Sequence, residues 1–194
     1  MNIYDFDDTI YDGDTCRDIV FYGIKKHPII TLKALLKANK LDKDYKKGLI
    51  PFERVKEAML SFIFQIDNYP AFIKSFVSSH IKKIKPWYMS RKKDNDVIVT
   101  ASYELWISEF AKLIGIRYVI GTKVDKEGRI IGKNCKGEEK VNRIKEIYPN
   151  GIINCSYSDS SADIPILELA NVAYVVEGNN LIPYKSGYKF KNNN

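Results

Sequence analysis

The chain opens on an apolar lead-in that stops abruptly at carboxylates: Ile3, Tyr4, Asp5, Phe6, Asp7, Asp8, Thr9, Ile10. In an extended backbone Asp5 and Asp7 point to the same side. Their mutual repulsion there either raises a pKa or demands a cation. A divalent metal is the economical answer, because aspartate is disfavoured in strands and almost never fully buried unpaired. The competing reading is a solvated, Asp-rich turn. The run therefore predicts a short buried strand, Asn2 to Phe6, with an acidic site at its carboxyl end.

Beyond this strand the chain is helical in character until about Ile84. Apolar positions recur at helical spacing through Ile19, Val20 and Ile24 before Pro28, and through Ile30, Leu32, Leu35 and Leu36 between lysines. The same spacing holds for Val55, Met59 and Leu60 after Pro51, and for Phe72, Phe76 and Val77 after Pro70. Four helices are expected, the third starting at Pro51. A fifth runs from Pro86 to about Lys93, ahead of an Asp94-Asn95-Asp96 turn.

The pattern then changes. Val97 to Thr100 is a β-branched run short enough for a buried strand, and Tyr103 to Ile114 is an amphipathic helix ended by Gly115. Further strands are read at Tyr118 to Ile120, Ile152 to Cys155 and Val172 to Val176. Between them fall a hairpin over Thr122 to Ile131 and helices at Glu138 to Ile147 and Ala162 to Leu169. Strands alternating with helices imply an α/β fold, a three-layer, Rossmann-like core on a parallel five-stranded sheet. The division expected is a core of 1–13 and 86–194 with an all-α helical insertion at 14–85. The polar tail, Asn179 to Asn194, reads as frayed.

Charge is unevenly placed. Val20 to Lys93 holds 17 Lys or Arg against five Asp or Glu, and the rest 14 against 19. A basic cover over an acidic core would draw anionic substrates inward. It carries no compact nucleic-acid signature, which argues against that partner. Cys16, Cys135 and Cys155 are odd in number and lack CxxC spacing, so a reducing cytoplasm is expected rather than a disulfide framework. The N-terminus enters the acidic strand directly, leaving no room for a signal segment. No apolar run reaches the roughly 18 residues a bilayer span requires.

In open α/β sheets ligands sit at the carboxyl ends of the strands. Four polar signals fall there: Asp5 with Asp7, Thr100 with Ala101 and Ser102, Lys140 at a helix start, and Asp159 with Asp163. Each alone has a bland reading as a cap, a turn or a surface lysine. Their joint occurrence in this order is what points to a site.

These residues resemble the haloacid dehalogenase superfamily of aspartate-nucleophile phosphohydrolases. Asp5-Phe6-Asp7-Asp8-Thr9 matches its DxDxT motif, Val97 to Thr100 its apolar strand ending in Ser or Thr, Lys140 its lysine, and Asp159 to Asp163 its acidic motif. The helical segment after the first motif resembles the cap of the phosphoserine phosphatase-like branch. The resemblance implies Mg2+ held by Asp5, the backbone carbonyl of Asp7 and Asp159, with Asp163 acting through water. It also implies Asp5 as nucleophile, Asp7 as general acid and base, Thr100 and Lys140 on the phosphoryl group, and Ala101, Ser102 and Asp14 on the substrate.

Departures from the family bear on substrate. Asp14 stands where phosphoserine phosphatases carry a cap glutamate, one methylene longer. Met59 stands near the place of their carboxylate-gripping arginine, with Arg54 or Lys56 as neighbouring substitutes. The expected activity is therefore phosphomonoester hydrolysis on a small metabolite. The alternatives are phosphoserine itself, a lipid phosphate as in phosphatidylglycerophosphatase-like members, or non-catalytic binding of a phosphorylated ligand. Ile29 to Lys37 mixes apolar and lysine residues, which would suit an anionic membrane surface or a helix packed on its neighbours.

Overall fold

In the computed structural model, which describes residues 1–190, Ile3 and Tyr4 turn to opposite faces of the central sheet and found its two cores. Strand β1 (Asn2–Tyr4) is followed by helices α1 (Thr15–Lys26), α2 (Pro28–Lys46), α3 (Phe52–Leu60), α4 (Tyr69–His80) and α5 (Pro86–Met89). Then come β2 (Val97–Tyr103), α6 (Glu104–Ile114), β3 (Tyr118–Thr122), α7 (Glu138–Ile147), β4 (Cys155–Ser158), α8 (Ile164–Glu168), β5 (Val172–Glu177) and β6 (Asn180–Pro183). The sheet order is β3-β2-β1-β4-β5-β6, with β1 to β5 paired in parallel. Strand order therefore reverses beside β1, which places the switch point, and the crevice that accompanies it, at Asp5.

Alternation along β1 and β2 sorts the layers. Ile3, Val97 and Val99 join Ile120, Val141, Ile144 and Ile166 beneath α7 and α8. Tyr4, Phe6 and Ile98 join Trp106 and Phe110 of α6 on the other face. That second core continues without a break into the helices between β1 and β2, through Ile19, Phe62, Phe72 and Phe76. Phe110 is the junction, with ring centroids 5.4 Å from Phe6 and 6.0 Å from Phe76. Gly23 lets α1 close on this core, since a Cβ there would stand 2.4 Å from the Phe62 ring.

Several elements differ from the sequence-based expectation. The fourth strand is Cys155–Ser158 and not Ile152 to Cys155, because Tyr157 registers between Tyr4 and Tyr174 and stacks on both rings, at 4.5 and 5.1 Å. Ser156 and Ser158, which look wrong for a buried strand, find acceptors in the Leu167 carbonyl and Asp163. The tail from Asn179 is not frayed at its start: Asn180–Pro183 adds a sixth, antiparallel strand to β5. Residues 191–194 of that tail lie outside the described residues. Helix α5 stops at Met89, four residues short of expectation. The hairpin after β3 is closed by a single bridge, Val124 to Ile130.

Helix α2 presents its apolar residues in an unexpected direction. Thr31, Ala34 and Ala38 face inward, whereas Ile29, Leu32 and Leu36 are 70%, 49% and 65% exposed. No helix among the described residues is long and apolar enough to cross a membrane.

Candidate active site

Asp5 follows the last residue of β1 and is held there by its own amide, which donates to the Tyr157 carbonyl of β4 at 2.9 Å. The chain then turns through Asp8, whose φ of 52° is left-handed and the only such value at a non-glycine residue among those described. That turn brings Thr9 back beneath the strand end. Its hydroxyl lies 3.2 Å from Asp5 Oδ2 and 3.1 Å from Asp159 Oδ1, sharing one proton between them, and it accepts from the Asp159 amide at 3.1 Å.

Lys140 arrives from the first turn of α7, where the helix dipole disfavours a cation. The arrangement that overrides that preference is direct: Nζ donates to Asp5 Oδ1 and to Asp163 Oδ2, each at 2.6 Å, and the side chain is 2% exposed. Ser158 Oγ donates to the same Asp163 oxygen at 2.7 Å. The two carboxylates hold the Lys140 ammonium firmly protonated against the cost of burial. One cation cannot neutralise both. Burial, with Asp163 and Asp159 adding repulsion, therefore leaves the Asp5 carboxyl above its ordinary range even with Lys140 opposing. Burial likewise pushes Asp159 up to about 6.

Asp7 sits in a separate setting. Its carboxylate accepts from the Thr15 amide and from Ser102 Oγ, both at 2.6 Å. Trp106 Nε1 donates to Thr15 Oγ1, which lies 3.1 Å from Ser102 Oγ, so a relay of hydroxyls fixes the direction of the Asp7 side chain. Burial first, and then the charge of Asp14, push its carboxyl up to about 6, against those hydrogen bonds. Asp5 and Asp7 are thus two carboxylates in unlike environments, one on an ammonium and one on neutral donors.

These groups line a cleft of about 340 Å³ together with Thr100, Ala101, Asp163 and side chains from the helices between β1 and β2. Of the residues singled out from sequence, Asp5, Asp7, Asp14, Lys56, Met59, Thr100, Ala101, Ser102, Lys140, Asp159 and Asp163 line it, though not all in the expected posture, and Arg54 does not. Thr100 is buried and its hydroxyl accepts from the Ser102 amide at 3.0 Å. Ser102 is spent on Asp7, and the Ala101 carbonyl on Thr122 and Lys56. Asp14 caps α1, accepting from the Arg17 amide at 2.8 Å.

The cation on the helical side of the cleft is Lys56, to which the sequence gave only the place of a neighbouring substitute. It is 5% exposed, with Nζ 2.6 Å from the Ala101 carbonyl, 2.8 Å from Asn134 Oδ1 and 5.1 Å from the centre of the Tyr103 ring. Met59 also lines the cleft, whereas Arg54 is turned to Glu57. Nothing in the sequence separates Lys56 from its sixteen basic neighbours between Val20 and Lys93, because its distinction is burial.

The donor set is one of hard oxygens with surplus negative charge, which fits Mg2+. Among the described residues no three acidic, imidazole or thiol side chains gather closely enough to hold an ion by themselves. Backbone carbonyl and water ligands would have to complete the shell, as Mg2+ commonly requires.

A family model described as haloacid dehalogenase-like hydrolase matches residues 3–168. The protein CicA of Caulobacter vibrioides is 35% identical over 118 residues, which is 55% of this chain and 53% of that one, so the match spans about half of that relative. A histidinol-phosphatase of Neisseria meningitidis is 22% identical over 193 residues, covering 88% of this chain and 87% of the relative. A solved protein of unknown function from Bordetella pertussis shares the fold at a TM-score of 0.72, with 20% identity over 90% of this chain and 88% of its own. Solved phosphoserine phosphatase-like proteins share it at TM-scores of 0.53 to 0.55.

Proposed function

The chain belongs to the haloacid dehalogenase-like hydrolases, and from that membership we propose that it is a Mg2+-dependent phosphomonoesterase acting on a small phosphorylated metabolite. The observation that carries this reading is the unlike pair of carboxylates, Asp5 on Lys140 and Asp7 on Ser102 and the Thr15 amide. Two carboxyl groups with different partners at one strand end suit two roles, nucleophile and proton carrier.

A phosphate monoester dianion repels a carboxylate, so charge must be offset before attack. Asp5, Asp159 and the Asp7 carbonyl are the groups that would hold Mg2+, which when bound neutralises charge on phosphate and nucleophile alike. In the first half-reaction a carboxylate oxygen of Asp5 bonds to phosphorus as the ester P–O bond breaks. Asp7, protonated, gives its proton to the departing oxygen. Water then attacks phosphorus, Asp7 takes a proton from it, and the Asp5–phosphorus bond breaks to release phosphate. Lys140 and Thr100 would stabilise the phosphoryl oxygens through this sequence.

The helical segment 14–85 is the cap in this reading, and it contributes Asp14, Lys56 and Met59 to the cleft. Lys56 is suited to a second anionic or hydroxyl group on the substrate. Asp14 is suited to an amine, which makes histidinol phosphate and phosphoserine worthwhile probes. The three cysteines are free thiols, consistent with a cytoplasmic site of action.

Phosphate release should be measured with Mg2+ against p-nitrophenyl phosphate, phosphoserine, histidinol phosphate, sugar phosphates, nucleotides and lipid phosphates, with Asp5→Asn as control. Metal-dependent release by the wild type alone supports the reading. Release unaffected by Asp5→Asn overturns the nucleophile assignment, and silence across the panel favours a phospho-ligand-binding protein.

A second reading, a lipid-phosphate substrate, is favoured by one observation: the exposed apolar row of α2 lies among Lys33, Lys37 and Lys40. Such a face suits an anionic bilayer surface. Sedimentation with anionic but not neutral vesicles at low salt would support it, and no binding to either would remove it.

A further inference from the structure

We infer that Lys85 is a positioning residue for the acidic site, acting through the Asp8–Thr9 peptide; this rests on the phosphatase reading for its catalytic consequence but not for its effect on metal binding. Lys85 lies where the chain returns from the helical segment, directly before α5, and is 5% exposed. Its ammonium has no hydrogen-bonded carboxylate among the described residues. It donates instead to two backbone carbonyls, that of Asp8 and, at 2.8 Å, that of Gly178 in the turn between β5 and β6. Its own amide donates to the Ile10 carbonyl at 2.8 Å. One residue thus ties together the nucleophile loop, the return from the helices and the far edge of the sheet.

An ammonium buried on neutral acceptors is costly, and an apolar side chain would fill the same space more cheaply. Burial pulls its pKa down, opposed only by the more distant charges of Asp8, Asp12 and Asp159. What the ammonium supplies is a fixed orientation for the peptide after Asp8. That residue carries the left-handed φ of 52°, a conformation aspartate tolerates better than most side-chain-bearing residues but adopts less readily than glycine, so contacts that hold it there matter. Those contacts are the Asp8 amide on the Gly13 carbonyl, at 2.8 Å, and the Asp8 carbonyl on Lys85.

The consequence reaches the site through Thr9. The peptide whose carbonyl Lys85 holds is the one that carries Thr9, and the Thr9 hydroxyl spans Asp5 Oδ2 and Asp159 Oδ1. Turning that peptide would move the hydroxyl away and leave two carboxylates of the proposed metal site without their common donor. Lys85 touches neither reacting atoms nor substrate. It acts as outer-shell partners of metal ligands act, where loss commonly costs about 10- to 100-fold in metal affinity or activity.

The test is Lys85→Met, which keeps the length and removes the donors, alone and combined with Asp8→Gly, since glycine adopts the left-handed backbone without help. Two readouts are taken on folded protein: the Mg2+-induced rise in melting temperature and the kcat and KM for p-nitrophenyl phosphate. Lys85→Met should weaken Mg2+ binding and lower kcat about 10- to 100-fold with little change in KM, and adding Asp8→Gly should restore part of both. Unchanged Mg2+ binding in Lys85→Met overturns the inference. So does a loss that Asp8→Gly leaves untouched, because Lys85 would then act as a general brace. Should the wild type turn over no substrate, the phosphatase reading fails, while the Mg2+ titration still decides the role of Lys85.

Discussion

The ammonium of Lys140 donates to Asp5 Oδ1 at 2.6 Å across 135 positions of sequence, and holds Asp163 at the same distance. The contact fixes the charge state of the site's only buried cation among the described residues that faces both carboxylates, and its removal should be felt twice. Lys140→Met leaves two buried carboxylates uncompensated, a change that costs about 3–5 kcal/mol when one partner of a buried pair is lost. Chemical denaturation at pH 7.5 should show that loss, and a smaller one at pH 5, where Asp5, already raised by burial, takes up a proton more readily. Equal losses at both values would mean that the charge is not what Lys140 supplies.

Asp7→Asn should separate substrates by leaving group. A positioned acid contributes about 10²- to 10⁴-fold when the leaving oxygen needs a proton. Turnover of an alkyl phosphate should fall in that range, and turnover of p-nitrophenyl phosphate, whose leaving group departs unprotonated, far less. Equal loss on both would show that Asp7 does not protonate the leaving group.

Stability of the metal-free protein should fall as pH rises from 5 to 7. Asp7 and Asp159 are each pushed from 3.8 to about 6 by burial, so in this window the folded state binds more protons than the unfolded one. Stability from such groups is present below the unfolded value and lost as pH rises through about 6. Asp18 works the other way: Lys83 and Tyr11 outweigh its burial and lower it from 3.8, so its stabilisation is lost only below this window. Melting in EDTA should drop by about 5 °C between pH 5 and 7, and Mg2+ should reverse the drop at pH 7 more than at pH 5.

Lys56→Met should raise KM about 10- to 100-fold for substrates with a second anionic group, the range expected for a charged hydrogen bond. KM for p-nitrophenyl phosphate, which offers no such group, should barely change. A uniform rise across substrates would make Lys56 a brace for the Ala101 carbonyl, which it contacts at 2.6 Å, and not a specificity residue.

Much of this architecture was legible beforehand, for reasons that are local. Val97 to Val99 is β-branched and apolar, and it forms a strand. Gly115 ends α6 with φ 73°, as a left-handed cap should. Asp5, Asp7, Thr100, Lys140, Asp159 and Asp163 could be gathered because each lies in the carboxyl half of a strand, just beyond one or near the start of a helix, and parallel strands deliver such positions to one edge. Less legible was what depends on partners. Ser156 and Ser158 carry no strand signal of their own, and their burial is decided by Leu167 and Asp163. Asn180–Pro183 looked like tail because β6 exists only by pairing with β5. Ile29 to Lys37 left open whether its apolar residues pack inward or face outward, and the smaller Thr31, Ala34 and Ala38 make the close approach while Ile29, Leu32 and Leu36 stay exposed.

From sequence alone came the residue types, their order and the side of each strand they occupy, because alternation and helix period are properties of the backbone. That was enough to determine an α/β sheet with carboxylates gathered at the end of its first strand. The tertiary structure decided which of many lysines lose their water: Lys140 onto two carboxylates, Lys56 into the cleft, Lys85 behind Asp8. Burial and hydrogen-bond partners are set by segments as far apart as Asp8 and Gly178, and no local pattern records that meeting.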